Sequence, residues 1–394
     1  MTPHPDCILA VNCGSSSLKF AVYDAEQDGN PLLSGEARGI GRADGEVRVE
    51  HAPRGAFAER VPLADHAAAL EWLVRHLERA SLLGRLRAAG HRFVHGGPDH
   101  VRPVGLTPGV LASLRAMIPL APAHLPDELL AVETLGRLLP ALPQVACFDT
   151  AFHARMPRVA RWVGLPRALS ESGVVRYGFH GLSCEYVVDA LRAEGADVLG
   201  RRTVIAHLGS GASATAVLDG VSVDTSMGFT PLGGFVMSNR SGDLDPGIVL
   251  YLLRGRGMTV DAVADAVGRT GGLLGVSETS GDMRDLLARR ADDPRAADAV
   301  AMFCYQVRKC IGAYAAVLGG LDTLVFTGGI GEHAAPVRAE IVEGLAHLGI
   351  ALDPARNLAG ASCVGAADAR VAVRVVQTNE EVMIVRHVRG TLAP

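Results

Sequence analysis

One local pattern occurs twice in this chain. Near the start, the apolar run Cys7-Ile-Leu-Ala-Val11 passes through Asn-Cys-Gly-Ser-Ser-Ser into Leu18-Lys-Phe-Ala-Val-Tyr-Asp24. About two hundred residues later, Thr203-Val-Ile-Ala206 passes through His-Leu-Gly-Ser-Gly-Ala-Ser into Ala214-Thr-Ala-Val-Leu218, and Asp-Gly leads on to Val221-Ser-Val-Asp224. Short apolar runs joined by polar, glycine-containing turns read as β-hairpins. Internal duplication of one domain type explains the recurrence economically, with chance similarity over a dozen residues as the competing explanation.

The segments between the hairpins are helical in pattern. Residues 65–80 place Leu70, Leu73, Val74 and Leu77 at helical spacing, and residues 127–138 do the same with Leu129, Leu130, Val132 and Leu135. Each opens on an aspartate, Asp65 or Asp127, as an N-cap should. Asp322-Thr-Leu-Val-Phe326 reads as a buried strand that runs into Thr327-Gly-Gly-Ile-Gly-Glu332, with a helix expected from about His333. Strands alternating with helices indicate an α/β chain. Its 394 residues exceed what one hydrophobic core organises, which predicts two domains. We place them at 1–150 and 151–383, divided after the strand Val145 to Asp149, with the final segment (about 384–394) returning to the first.

Composition narrows the function classes. Nearly half the residues are apolar (48%) and 20% are charged, an ordinary globular balance. The net charge of −4 provides no general basic field, so neither nucleic acid nor a membrane surface is an expected partner, and an anionic ligand must be held by a local cluster. Seven scattered cysteines without a CxxC pair read as reduced thiols of a cytoplasmic protein. No basic leader with an apolar core and no run of about 18 apolar residues is present, so neither export nor membrane spanning is expected.

Three turns carry the chemistry. Asn12-Cys-Gly-Ser-Ser-Ser-Leu-Lys19 gathers backbone N–H groups, hydroxyls and an amine, the inventory for holding phosphate oxygens. A hydrophilic hairpin turn accounts for it equally well. His207-Leu-Gly-Ser-Gly211 has alternate glycines that let a backbone approach a polyphosphate, although such turns are common in hairpins. Gly328-Gly-Ile-Gly-Glu332 follows a strand and precedes a helix, as either a nucleotide-facing turn or a plain connection.

Taken with further segments, these turns make the chain resemble the acetate kinase family, nearly end to end. The segments are Gly90-His-Arg-Phe-Val-His-Gly-Gly97, Ala121-Pro-Ala-His124, Cys147-Phe-Asp-Thr-Ala-Phe-His153, Arg176-Tyr-Gly-Phe-His-Gly181, Asp224-Thr-Ser-Met-Gly-Phe-Thr-Pro-Leu232, Asn239-Arg-Ser-Gly-Asp-Leu-Asp-Pro246, Asp282-Met-Arg284 and Thr378-Asn-Glu-Glu381. The resemblance implies two duplicated actin-like (ribonuclease H-like) domains with ATP bound in a cleft between them, a homodimer, Mg²⁺ with Mn²⁺ as a substitute, and phosphoryl transfer between ATP and acetate to give acetyl phosphate and ADP.

Such a transfer needs no general base, because the carboxylate nucleophile is already ionised. Positioning and charge neutralisation must supply the catalysis, and arginine suits both. By resemblance, Arg92 and Arg240 serve the acyl carboxylate and the transferring phosphoryl group, His180 bonds that group's oxygens, and His124 supports it. The glycines around His180 and the prolines around His124 suggest shaped loops for both. The family describes Asp149 as an acid/base residue, whereas an already ionised nucleophile leaves it to the metal or its waters, with Asn12 and Glu380 completing the metal site. Lys19, Ser15, Ser17 and the loop His207, Leu208, Gly209, Ser210 and Gly211 are assigned to phosphates. Asp282, Met283, Arg284, Gly329, Ile330, Gly331, Glu332 and His333 are assigned to adenosine. Val94, Ala123, Phe179 and Pro231 correspond to the apolar cup around the acyl methyl.

Several positions depart from the family's habit. Ser210, Leu125 and His333 stand for Asn, Gly233 for Glu, Ala123 for Leu, and the usual Gly-Thr-Ser-His run reads Gly181-Leu-Ser-Cys184. None removes a charged catalytic position, so activity is expected. A propionate or butyrate kinase and a non-kinase actin-like or chaperone-type ATPase are the competing readings.

Overall fold

The structure, a computed structural model, describes residues 6–14, 16–52, 55–195 and 200–393. It divides into two compact units, Met1–Ala151 with Asn379–Pro394, and Phe152–Thr378.

The first unit is built on an eight-stranded sheet. Its strands are β1 (Cys7–Gly14), β2 (Ser17–Asp24), β3 (Leu33–Arg38), β4 (Glu46–His51), β5 (Gly55–Arg60), β6 (Leu86–Phe93), β7 (Val104–Gly105) and β8 (Gln144–Phe148), in the order β5-β4-β3-β2-β1-β6-β8-β7. The second has β9 (Arg202–Leu208), β10 (Ala212–Leu218), β11 (Val221–Thr225), β12 (Thr323–Thr327) and β13 (Ala372–Val375), in the order β11-β10-β9-β12-β13. Both sheets contain the same arrangement. An antiparallel meander is extended, beside its first strand, by two parallel strands: β6 and β8 beside β1, β12 and β13 beside β9. The recurring hairpins of the sequence are thus the leading hairpins of two sheets with one topology.

Parallel neighbours cannot be joined by a tight turn, so helices make the crossings. In the first unit α1 (His66–Arg79) lies between β5 and β6, and α2 (Leu125–Leu138) between β7 and β8. Leu70, Leu73 and Leu77 of α1 and Ala131 and Leu135 of α2 pack against Leu9, Val11, Leu18, Phe20 and Val22. The other face is covered by the C-terminal helix, Glu380–Leu392. Ala89 belongs to the α1–α2 core, and its neighbour Gly90 points the opposite way. There a Cβ would come within 2.4 Å of Ile384 Cγ2 and 2.6 Å of Val388 Cγ2, so the helix rests directly on the bare glycine. Coverage on both faces explains why β1 opens on the unbroken apolar run Cys7–Val11 rather than an alternating one.

In the second unit the helices that matter for the site are α3 (Gly181–Glu194), α4 (Pro294–Val317) and α5 (Gly328–His333). Asp65 caps α1 as expected, accepting from the Ala68 N–H. Two expectations about helix starts fail. The second helix begins at Leu125, not Asp127, because Pro126 fits the first turn and pulls the start forward. The Gly-Gly-Ile-Gly turn is itself α5, and the helix expected from His333 is a separate one, Ala335–Val342. His124 and His180, expected on loops, do lie outside the helices, as the N-cap residues immediately before α2 and α3.

Candidate functional site

Parallel pairing brings the ends of β1, β6 and β8 side by side, with Val11 opposite His91 and Phe93 opposite Phe148. Asn12, Arg92 and Asp149 therefore emerge together, and they are joined. Arg92 donates to Asp149 Oδ2 through Nε at 3.1 Å and Nη2 at 2.5 Å, and to Asn12 Oδ1 at 3.3 Å. Asn12 Nδ2 donates to Glu380 Oε2 at 3.0 Å, so the first residue of the C-terminal helix joins the same chain of bonds. Asp149 is fully buried. Burial opposes the charge on Arg92, but the carboxylates of Asp149 and Glu380 outweigh it and hold the guanidinium more firmly protonated than usual.

Lys19 lies directly across the ladder from Asn12, on the same face, and is exposed. Ser17 pairs with Gly14, where a Cβ would sit 2.8 Å from Ser17 Oγ. Ser15 lies outside the described residues. Val94 is buried and its N–H is shared by both oxygens of Glu128 at 3.2 Å, while Ala123 is exposed.

The second unit gathers a separate group. Gly209 N–H bonds Gly211 O across the turn between β9 and β10. A Cβ on Gly211 would lie 3.3 Å from His180 Nε2 and 3.5 Å from Arg240 Nη1, so the imidazole and guanidinium converge on this glycine. His180 has φ 58°, ψ 29°, a left-handed backbone that a non-glycine residue adopts only when its surroundings enforce it. Its ring stacks on His207 at 4.3 Å, and its Nδ1 is 2.9 Å from Ser213 Oγ. His207 is fixed in turn by Ser183 Oγ at 2.8 Å from Nδ1. Arg240 Nη1 donates to Pro231 O at 3.1 Å, which places one acyl-cup candidate beside the arginine. Phe179 is buried next to His180. The backbone N–H of Ser238 bonds Ser210 O at 3.2 Å, and Leu208 is a core residue.

The adenosine candidates divide. On α5, Gly329 and His333 are exposed and a Cβ on Gly329 would meet nothing within 4 Å, whereas Gly331 is buried and Ile330 half-buried. Glu332 Oε1 accepts from the backbone N–H of Gly328 and of Thr378, which makes its carboxylate a brace for the turn. Asp282 caps the helix Met283–Arg289 and pairs with the Arg284 guanidinium at 2.6 Å; Met283 points into the core.

Several residues around the site went unread in the sequence. Glu128, one turn into α2, has its carboxyl pushed up to about 8 by burial, against the pull of Arg92 and the Val94 N–H. Burial and the neighbouring Glu380 raise the carboxyl of Glu381, which also interacts with Lys19 and Asn12; its place beside Glu380 was the available signal. His66 reaches Gly14 O at 2.8 Å, with Asp127 on its other nitrogen at 3.5 Å. The buried Arg338 donates to the carbonyls of Gly331, Glu332 and Asn357 and to Asn357 Oδ1, pinning the end of α5. Nothing local marks His66 or Arg338, since their partners are distant in sequence.

The model described as the acetokinase family matches residues 7–386. The chain belongs to the acetokinase family. It is 46% identical to the acetate kinase of Rhodopseudomonas palustris, over 97% of this chain and 98% of that protein, and 45% identical to that of Rhizobium meliloti, over 97% of each. Among solved structures, a propionate kinase from Francisella tularensis superposes with a TM-score of 0.91 at 35% identity, over 97% of this chain and 98% of that one. The acetate kinase of Porphyromonas gingivalis gives 0.87 at 34%, over 98% and 100%. These relatives share the actin-like fold that the duplicated hairpins lead to.

The ion pair has a mechanical consequence within this family scaffold. Arg92→Ala strips both charge-assisted bonds from the buried Asp149 carboxylate, so the variant is expected to lose about 3–5 kcal/mol of stability, with Arg92→Lys losing less. Urea midpoints at neutral pH measure this; equal midpoints for wild type and Arg92→Ala would show that Asp149 does not need its partner.

Proposed function

We propose that this chain is an acetate kinase, moving a phosphoryl group reversibly from ATP to acetate, with acetyl phosphate and ADP as products, by direct in-line transfer with Mg²⁺. The observation that carries the reading is the convergence of His180 and Arg240 on Gly211. Two donors aimed at a glycine that admits a phosphate suit stabilisation of a transferring phosphoryl group and leave nothing for a general base to do. Arg92 is assigned to the acyl carboxylate. Lys19, Ser17 and the 207–211 turn are assigned to phosphates, and Asp282–Arg284 with the exposed side of α5 to adenosine.

Asn12, Asp149 and Glu380 are the residues that would hold the divalent cation. All offer hard oxygen atoms, as Mg²⁺ requires, and the ion would keep several waters. Bound there, it would neutralise phosphate charge. Asp149 keeps the role argued from its chemistry, metal rather than acid/base, because Arg92 already stabilises its ionised form. His124 stands at the N-cap of α2 and is assigned a supporting role.

Cytoplasmic residence is proposed from the seven free cysteines, five of them buried. No helix among the described residues is long and apolar enough to cross a membrane. A homodimer is proposed from the helix Pro246–Arg254, which buries none of its residues yet presents Ile248, Leu250 and Tyr251 to solvent. Light scattering should give twice the chain mass and Tyr251→Glu should lower it; a wild-type mass of one chain overturns this assignment.

A second reading, good use of propionate, rests on Ala123. The smaller side chain where the family usually has Leu leaves room for about one more methylene, worth roughly tenfold.

Trapping the acyl phosphate as hydroxamate tests these assignments together. Wild type should form product from acetate with MgATP and lose turnover in EDTA; metal-independent turnover would remove the cation from the scheme. Arg240→Ala and His180→Ala should each lose about a hundredfold or more in kcat/KM while remaining folded; near-normal rates would return both to structural roles. Ala123→Leu should shift the propionate-to-acetate ratio of kcat/KM about tenfold toward acetate, and an unchanged ratio would place Ala123 outside the pocket.

A further inference from the structure

His153 has no part in the phosphoryl, acyl or metal assignments, yet it is wholly buried at the end of the short turn Ala151–His153, against the segment that delivers His180. Its Nε2 is 3.0 Å from the carbonyl oxygen of Phe179 and its Nδ1 is 2.9 Å from Ser222 Oγ. A carbonyl oxygen can only accept, so Nε2 carries the hydrogen, and Nδ1 then accepts from the serine hydroxyl. Burial pulls the imidazole down to about 4, so this single neutral tautomer persists at working pH.

The carbonyl it holds belongs to the peptide joining Phe179 to His180. The three residues before Phe179 are tied to the end of strand β11 and to the loop after that strand. Arg176 Nη1 donates to the carbonyls of Thr225, Ser226 and Met227, and Tyr177 and Gly178 donate their N–H groups to Gly228 O. Gly178, at φ 79°, is pressed so closely that a Cβ would lie 2.4 Å from Thr225 Cγ2 and 2.7 Å from the His153 ring. His153 tethers the peptide at which the chain turns through the left-handed residue His180 into α3. A rotated peptide would re-aim the His180 ring away from Gly211.

We propose that His153 is a positioning residue for His180, its Nε2–H fixing the Phe179–His180 peptide and Ser222 fixing its tautomer. The inference rests on the reading of His180 as a donor to the transferring phosphoryl group, and its test separates the two. His153→Leu removes the donor and should lower kcat about tenfold or more with the KM for ATP within about twofold. His153→Gln, whose amide N–H replaces Nε2–H, should keep kcat within about threefold. Placed in a His180→Ala background, His153→Leu should cause no further loss of kcat, because residues acting through one group are not additive. Ser222→Ala, which keeps the ring but frees its tautomer, should lower kcat a few-fold in wild type and not at all in His180→Ala, and it supplies the cycle if His153→Leu fails to fold. An impaired His180→Ala on which the second substitution multiplies the loss would overturn the proposal and leave the role of His180 standing. A His180→Ala protein with full kcat would instead overturn that role, and the positioning claim with it.

Discussion

Arg92 cannot lie between β1 and β8 unless negative charge is buried with it. Removing a guanidinium from water costs several kcal/mol, recovered only by close, well-directed partners. Asp149, just past the end of β8, provides two of those bonds and Asn12, on β1, a third, so both depend on the same parallel ladder. The register of that ladder is therefore a chemical requirement as much as a packing one. A slip of one residue in any of these strands would turn its group to the opposite face. Glu380 joins them only because the C-terminal helix lies on the bare backbone of Gly90.

The second unit solves a related problem with the same strand order. β9 and β12 run parallel with His207 opposite Thr327, so the turn after β9 and the helix after β12 emerge at one edge of the sheet. Gly328 lets those two pass closely, since a Cβ there would sit 2.8 Å from Leu208 O. What differs between the units is the charge they gather: a carboxylate-rich cluster around one guanidinium in the first, and two stacked imidazoles with an arginine around a glycine turn in the second.

Much of this was legible in the sequence, for identifiable reasons. Hairpins announced themselves because strand, turn and strand are contiguous, and α1 because Asp65 and a leucine stripe fall within one stretch. Residues named by motif proved to share neighbourhoods within their own units, as Asn12 does with Arg92, and His180 with His207. Local rules failed where two signals competed. Pro126 outweighed Asp127 as the start of α2, and a glycine-rich run that looked like a loop closes as α5 because Glu332 and Arg338 brace it from both ends. The bracing residues themselves were invisible. Arg338 meets Asn357, His66 meets Gly14 and Glu128 meets Val94 only after folding, and no spacing in the chain records those meetings.

The discontinuity of the first unit bears on how the molecule is made. A ribosome releases residues 7–148 long before residues 379–393, and until these arrive one face of the first sheet, including the Gly90 groove, lacks the helix that packs on it. The second unit is a single uninterrupted stretch and faces no such delay. Domains generally mature in the order of synthesis, but here the half translated first is the last that can be completed. Glu380 reaches Asn12 only at that final step, so a nascent or prematurely terminated chain carries Arg92 and Asp149 without their full set of partners.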